Sequence, residues 1–136
     1  MKTVGDLLNE KGNQIISIGP NDSVFQALAK MSQHNVGALL VMEGEKLVGI
    51  FSERDYARKI ILYGGASTET KIHQIMTAKV FHVSRDHALD ECMTMMTEKQ
   101  FRHLPVLDGE KVIGVISATD LIRESISQQD LAANQY

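Results

Sequence analysis

Apolar residues along the chain switch between two periods, and the switches predict the elements. Ile15 to Ile18 is a short β-rich run ended by Gly19-Pro20-Asn21-Asp22, with Asp22 or Ser23 placed to cap a helix. Val24, Ala27, Leu28 and Met31 recur at helical spacing and predict a helix to about His34. Ala38 to Met42 and Leu47 to Phe51 are apolar runs rich in β-branched residues. The glycine-bearing loop Glu43-Gly44-Glu45 joins them, which predicts a hairpin. A second helix is expected near Arg54 to Leu62. Tyr63-Gly64-Gly65-Ala66-Ser67-Thr68 then reads as a helix C-cap and hinge rather than a phosphate loop, because no G-x-G-x-x-G pattern surrounds it.

The same order of strand, helix, strand, strand and helix returns 65 positions later, where Ile15 through Arg58 aligns with Val80 through Arg123 without a gap. Identities cluster around the hairpin: Leu39 with Leu104, Val41 with Val106, Gly44-Glu45-Lys46 with Gly109-Glu110-Lys111, Gly49 with Gly114, Ser52 with Ser117, Asp55 with Asp120. Leu89, Met93 and Met96 form the apolar helix stripe of the second copy. Ahead of the copies, Val4, Leu7 and Leu8 resemble Ile72, Ile75 and Met76, so each copy is expected to carry its own leading helix. The division is therefore 1–66 and 67–136. The fold class is α+β, two β-α-β-β-α units. Each unit alone buries too little surface, so the two are expected to pack sheet to sheet around one shared core.

Composition narrows the function. The 136 residues are 43% hydrophobic with a formal net charge of −3, and the basic residues are scattered, which weighs against nucleic acid as the main partner. No positive segment followed by an apolar run opens the chain, and no stretch of about eighteen apolar residues occurs. A soluble, cytoplasmic protein without a membrane partner is the expectation. Cys92 is the one cysteine, so no internal disulfide forms; aligned with Ala27 on the helix stripe, it reads as a small buried residue. His82 and His87 flank a strand-to-turn segment while His34 and His73 stand alone, with no partner at ligand spacing, so no metal site is expected.

The chemistry lies in Ser52-x-x-Asp55 and Ser117-x-x-Asp120, each following a strand and opening a helix. The free amides of a helix start favour an anion such as phosphate. A carboxylate one turn in accepts two hydrogen bonds, which suits the vicinal hydroxyls of a ribose. The same spacing is also a variant capping box, with the serine on a backbone amide and the aspartate reaching back, which needs no ligand. The copies differ nearby: Gly37-Ala38-Leu39 in the first is Arg102-His103-Leu104 in the second, so a basic pair occurs once. Arg102 offers a fork for phosphate and His103 a donor whose charge depends on pH; the alternative is a surface arginine and a partly buried histidine. Arg54 in turn has Thr119 as its counterpart.

The doubled Gly49-Ile-Phe-Ser-Glu-Arg-Asp55 and Gly114-Val-Ile-Ser-Ala-Thr-Asp120 resembles the tandem cystathionine-beta-synthase (CBS) domain, and Arg102-His-Leu-Pro-Val-Leu-Asp108 is similar to that family's second strand. The resemblance implies a non-catalytic sensor. Its two CBS units would be related by pseudo-twofold symmetry, with clefts that take adenosine-containing ligands such as AMP, ADP, ATP, NAD or S-adenosylmethionine. Carried over, Asp55 and Asp120 would take the ribose hydroxyls, and Ser52 and Ser117, with Arg54 and Thr119, would face ribose or phosphate. The backbone around Ile16-Ser17 and Phe81-His82 would meet the adenine edge. A homodimer through helices is implied, with Met95 off the core stripe as a contact, and a separate effector protein as target. Two other readings compete: an interaction dimer with vestigial clefts, and a small hydrolase using Ser52 or Ser117 with His103. Against the hydrolase, no G-x-S-x-G elbow is present.

Overall fold

Both hairpins form where the apolar runs predict them in the computed structural model, which describes residues 2–12, 14–60 and 68–134, the last eight as backbone alone. Helix α1 spans Val4–Lys11, strand β1 Ser17–Ile18, helix α2 Val24–His34, strand β2 Ala38–Glu43 and strand β3 Lys46–Ser52. A single turn, α3 (Glu53–Asp55), continues as a wide π-helical turn over Tyr56–Ile60. Helix α4 (Ile72–Ile75) and helix α5 (Leu89–Lys99) precede strand β4 (His103–Asp108), strand β5 (Lys111–Ser117) and helix α6 (Ala118–Asn134). The remainder of the expected helix to Leu62, and all of the Tyr63 to Thr68 hinge but its last residue, lie outside the described residues.

Local chemistry sets the boundaries. Ser23, rather than Asp22, caps α2: its Oγ accepts the Gln26 amide at 3.1 Å while Gln26 Oε1 accepts the Ser23 amide at 2.8 Å. Asp22 instead accepts the Gly19 amide at 2.8 Å. The helix ends at Asn35 (φ 55°), and α5 ends at the repeat counterpart Gln100 (φ 59°), both in the left-handed cap geometry. Each hairpin turns through a glycine with φ near 60°, Gly44 and Gly109.

The sheets are β1-β2-β3, with β1 parallel to β2, and the two-stranded β4-β5. The strand expected around Phe81-His82 is not formed. Its place is taken by a single parallel bridge, Val83 to Val106, in which the Val83 amide donates to Pro105 O at 3.0 Å and its carbonyl accepts from Leu107 at 2.9 Å. Pro105 occupies the position of Leu40 and brings no amide to the ladder, which shortens the pairing.

The chain divides into two compact units, and their bounds differ from the 1–66 and 67–136 repeats. One unit is Ile15–Phe81; the other joins the segment ending at Gln14 to the chain from His82 onward. The leading helices are thus exchanged. Helix α1, ahead of the first copy, buries Val4, Leu7 and Leu8 with Val83, Leu89, Cys92, Met96, Leu104, Val106, Ile116 and Leu121 of the second. Helix α4, ahead of the second, buries Ile72 and Ile75 with Val24, Met31, Leu39, Val41 and Phe51 of the first. Each unit has a core cluster of its own in place of the one shared core expected, because the exchanged helix covers a sheet face that the repeat leaves bare.

The repeated strand glycines mark the contact. A β-carbon on Gly114 would stand 2.8 Å from Leu8 Cδ2, and one on Gly49 would stand 2.6 Å from Met76 Sδ and 3.0 Å from Thr77 O. One further expectation is reversed on α5: Met95 packs against the core cluster while Met93 is exposed, because Cys92 rather than Met93 occupies the buried position of the stripe.

Candidate functional site

In the unit Ile15–Phe81, strand β3 delivers Ser52 to the start of α3, where the predicted capping box forms in full. Ser52 Oγ accepts the Asp55 amide at 3.1 Å, and Asp55 Oδ2 accepts both the Ser52 amide at 3.0 Å and the Ser52 hydroxyl at 3.1 Å. The other oxygen, Oδ1, accepts Thr77 Oγ1 at 3.0 Å and lies 3.6 Å from Lys59 Nζ. Lys59 also donates to Ile75 O at 3.0 Å, so the carboxylate and the end of α4 share one cation. The start of α3 is tied to β2 by the Glu53 amide donating to Gly37 O at 3.1 Å.

The second unit repeats the box with different partners. Ser117 Oγ accepts the Asp120 amide at 3.1 Å and Asp120 Oδ2 accepts the Ser117 amide at 2.9 Å. The cation comes from α1: Lys11 Nζ donates to Asp120 Oδ2 and to Val115 O, both at 2.7 Å. Burial alone would raise the Asp120 carboxyl, but the bonds from Lys11 and the Ser117 amide outweigh it and hold the group below the usual carboxylate range. The Ala118 amide donates to Arg102 O at 2.8 Å, the counterpart of the Glu53–Gly37 bond. That bond, with His103 paired to Ser117 across β4 and β5, brings the basic pair Arg102-His103 to the Asp120 site. His103 is half-buried, and burial first, then the Arg102 charge, lower its pKa, while Asp120 opposes the shift.

Both carboxylates are thus used by the fold, yet neither is closed off. Their side chains are 13% (Asp55) and 17% (Asp120) exposed. A carboxylate has about four acceptor positions. Among the described residues, three hydrogen bonds end on Asp55 and two on Asp120, which leaves Asp120 the more open acceptor.

The other predicted residues are distributed unevenly. Arg54 and Thr119 are exposed one position before each aspartate, and Arg102 is exposed. Ile16 O accepts the Leu40 amide at 3.2 Å and Ser17 O accepts Lys30 Nζ at 2.5 Å, so those two carbonyls are already engaged. Phe81 and His82 are exposed and fall on opposite sides of the division between the units. Lys11 and Thr77 were not foreseen. Each reaches its aspartate from a leading segment that belongs, in sequence, to the other copy, and no local pattern marks such a residue.

An open pocket of about 310 Å³ adjoins Asp120, lined by Leu7, Glu10, Lys11, Asp120, Arg123 and Glu124. Lys2 bridges Glu10 and Glu124 at 2.6 Å each, and Lys11 and Arg123 are the cations of the lining itself. Among the described residues no three His, Cys, Asp or Glu side chains converge as metal ligands, and no helix is long and apolar enough to cross a membrane.

The sequence profile of the CBS domain matches residues 4–62 and again 72–127, and the chain belongs to the CBS-domain family as a tandem pair. Its fold matches the structure of a putative signal-transduction protein with CBS domains from Burkholderia ambifaria, with 46% identity and a TM-score of 0.91, covering 94% of this chain and 96% of that one. The mitochondrial CBS domain-containing protein CBSX3 of Arabidopsis thaliana is 36% identical over 93% of this chain and 66% of its own length. The chain spans 66% of that relative and 89% of the Bacillus subtilis relative YhcV, but only 23% of the Arabidopsis relative CBSCBSPB2. A CBS pair of protein MJ0100, in complex with 5′-methylthioadenosine and S-adenosyl-L-methionine, is 27% identical with a TM-score of 0.79 over 90% of this chain and 98% of that one.

Proposed function

We propose that this CBS pair is a regulatory module that senses adenosine-containing ligands, with Asp55 and Asp120 as acceptors for ribose hydroxyls. The observation that carries the reading is the doubled Ser-x-x-Asp box, which holds a partly exposed carboxylate beside the first amides of a helix in each unit. The methylthioadenosine and S-adenosylmethionine bound by the similar MJ0100 pair support the ligand class. AMP, ADP, ATP and NAD fall in the same class. A bound ligand would favour one arrangement of the chain and so alter a dimer or effector surface, with no chemistry done on the ligand.

A second reading is an interaction module whose sites are vestigial, and one feature favours it: in each unit the serine and the aspartate form a reciprocal capping box, an arrangement that serves the helix start without a ligand. Calorimetry separates the two. Nucleotide-free protein is titrated with AMP, ATP, NAD and S-adenosylmethionine, and the sensor reading expects saturable heat that Asp55→Asn and Asp120→Asn each reduce. Asparagine keeps an acceptor for the serine amide and spares the cap, which alanine would not. Flat titrations with the whole panel would leave the interaction module as the better account.

A further inference from the structure

The Asp120 pocket contains a cation that the doubled motif does not encode. An ammonium carries three N–H donors. Two of those on Lys11 are spent at 2.7 Å on Val115 O and Asp120 Oδ2, which pins Nζ at the pocket lining and leaves one donor for a ligand. A long side chain ordinarily loses much rotamer freedom when it grips an anion; here that freedom is already surrendered to the fold. Arg123 lines the same pocket, and His103 is paired across the strands with Ser117 of the same box. The Asp55 site is built otherwise. Its lysine, Lys59, lies 3.6 Å from the carboxylate and donates to the carbonyls of Ile75 and Met76 at 3.0 and 3.4 Å.

We infer that Lys11 is the specificity-determining residue of the Asp120 site, selecting adenosine ligands that carry an anionic group next to the ribose over uncharged ones. The inference rests on the sensor reading above and adds to it a residue and a preference. The ribose meets Asp120, and a 5′-phosphate lies against the pinned Lys11 ammonium with Arg123 beside it. An uncharged 5′ substituent gains nothing from that ammonium. Because α1 leads the first copy in sequence, the anion preference of the second copy's site is supplied from outside its own repeat.

The test compares AMP with 5′-methylthioadenosine, which keeps the ribose diol and lacks the phosphate, by calorimetry on the full chain and on Lys11→Met and Lys11→Arg. The wild-type protein should prefer AMP. Lys11→Met should weaken AMP by about tenfold with methylthioadenosine changed by less than about twofold, and Lys11→Arg should retain the preference. Equal weakening of both ligands would make Lys11 a structural tie and overturn the inference, as would an unchanged ratio. If neither ligand binds the wild-type protein, the sensor reading itself fails and takes the inference with it; a ratio unmoved by the substitutions removes Lys11 alone. Should Lys11→Met not fold at the assay temperature, Lys11→Gln, which keeps an N–H for Val115 O, replaces it under the same criteria.

Discussion

Leu8 of α1 lies so close over Gly114 of β5 that a β-carbon on the glycine would stand 2.8 Å from its Cδ2, and Met76 stands over Gly49 in the same manner. The glycine repeated in the doubled motif therefore serves helix-to-strand packing. The two contacts differ in one respect. Gly114 meets only side-chain atoms of Leu8, whereas Gly49 also faces the Thr77 carbonyl at 3.0 Å, a backbone atom held in place by its bond to the Ile50 amide. Gly49→Ala is expected to cost about 1 to 3 kcal/mol and Gly114→Ala clearly less. Urea unfolding of the two variants checks the order, and a larger loss at Gly114 would contradict it.

The exchanged helices predict how damage is distributed. Leu8 is fully buried, so Leu8→Ala should cost about 2 to 5 kcal/mol. Removal of residues 1–12 should expose the core that contains Leu104 and Ile116 while sparing that of Leu39 and Phe51. Amide hydrogen exchange reports this directly: β4 and β5 lose protection and β2 and β3 keep it. Loss confined to β2 and β3 would mean that α1 serves the copy it precedes.

Cys92 is an internal reporter for the same unit. It is buried, and burial first, then the charge of Glu91, pushes its thiol up to about 11, so thiolate is scarce near neutral pH. A thiol reagent at pH 7.5 should leave the native protein unmodified and label it on unfolding. Leu8→Ala should speed the native reaction; rapid labelling of intact wild-type protein would show the helix contact to be loose.

Acid should weaken the fold partly through Asp120. Its folded pKa lies below that of an unfolded aspartate, so the stabilisation is fully present above about pH 4 and is lost as the pH falls through the lowered folded value. The drop in urea midpoint from pH 7 to pH 3 should be smaller in Asp120→Asn than in wild type. An identical drop would mean that the Lys11 bond contributes nothing in solution.

His103 adds a second acid-sensitive term at milder pH. Burial resists its protonation in the folded state, so stability is full above the ordinary histidine value of 6.5 and declines below it. Ring-proton NMR should place its titration below that value, and His103→Gln should flatten the stability change between pH 7.5 and 5.5. A titration at or above the ordinary value would contradict the burial.

Much of this protein was legible in its residues. The hairpins at Gly44 and Gly109, the helix that opens at Asp22-Ser23 and the Ser-x-x-Asp boxes all depend on contacts between near neighbours, which leave periodic and capping patterns in a sequence, and the 65-residue repeat shows each of those patterns twice. The failed strand at Phe81-His82 turned on one proline in the strand it would have joined. What the tertiary structure alone decided is which leading helix covers which copy. Val4, Leu7 and Leu8 look as suited to one apolar sheet face as to the other, since both copies present a glycine and the same run of buried positions. The choice follows from long-range packing, and it also sets the charge of the candidate site, because the exchanged α1 brings Lys11 to Asp120, 109 positions away along the chain.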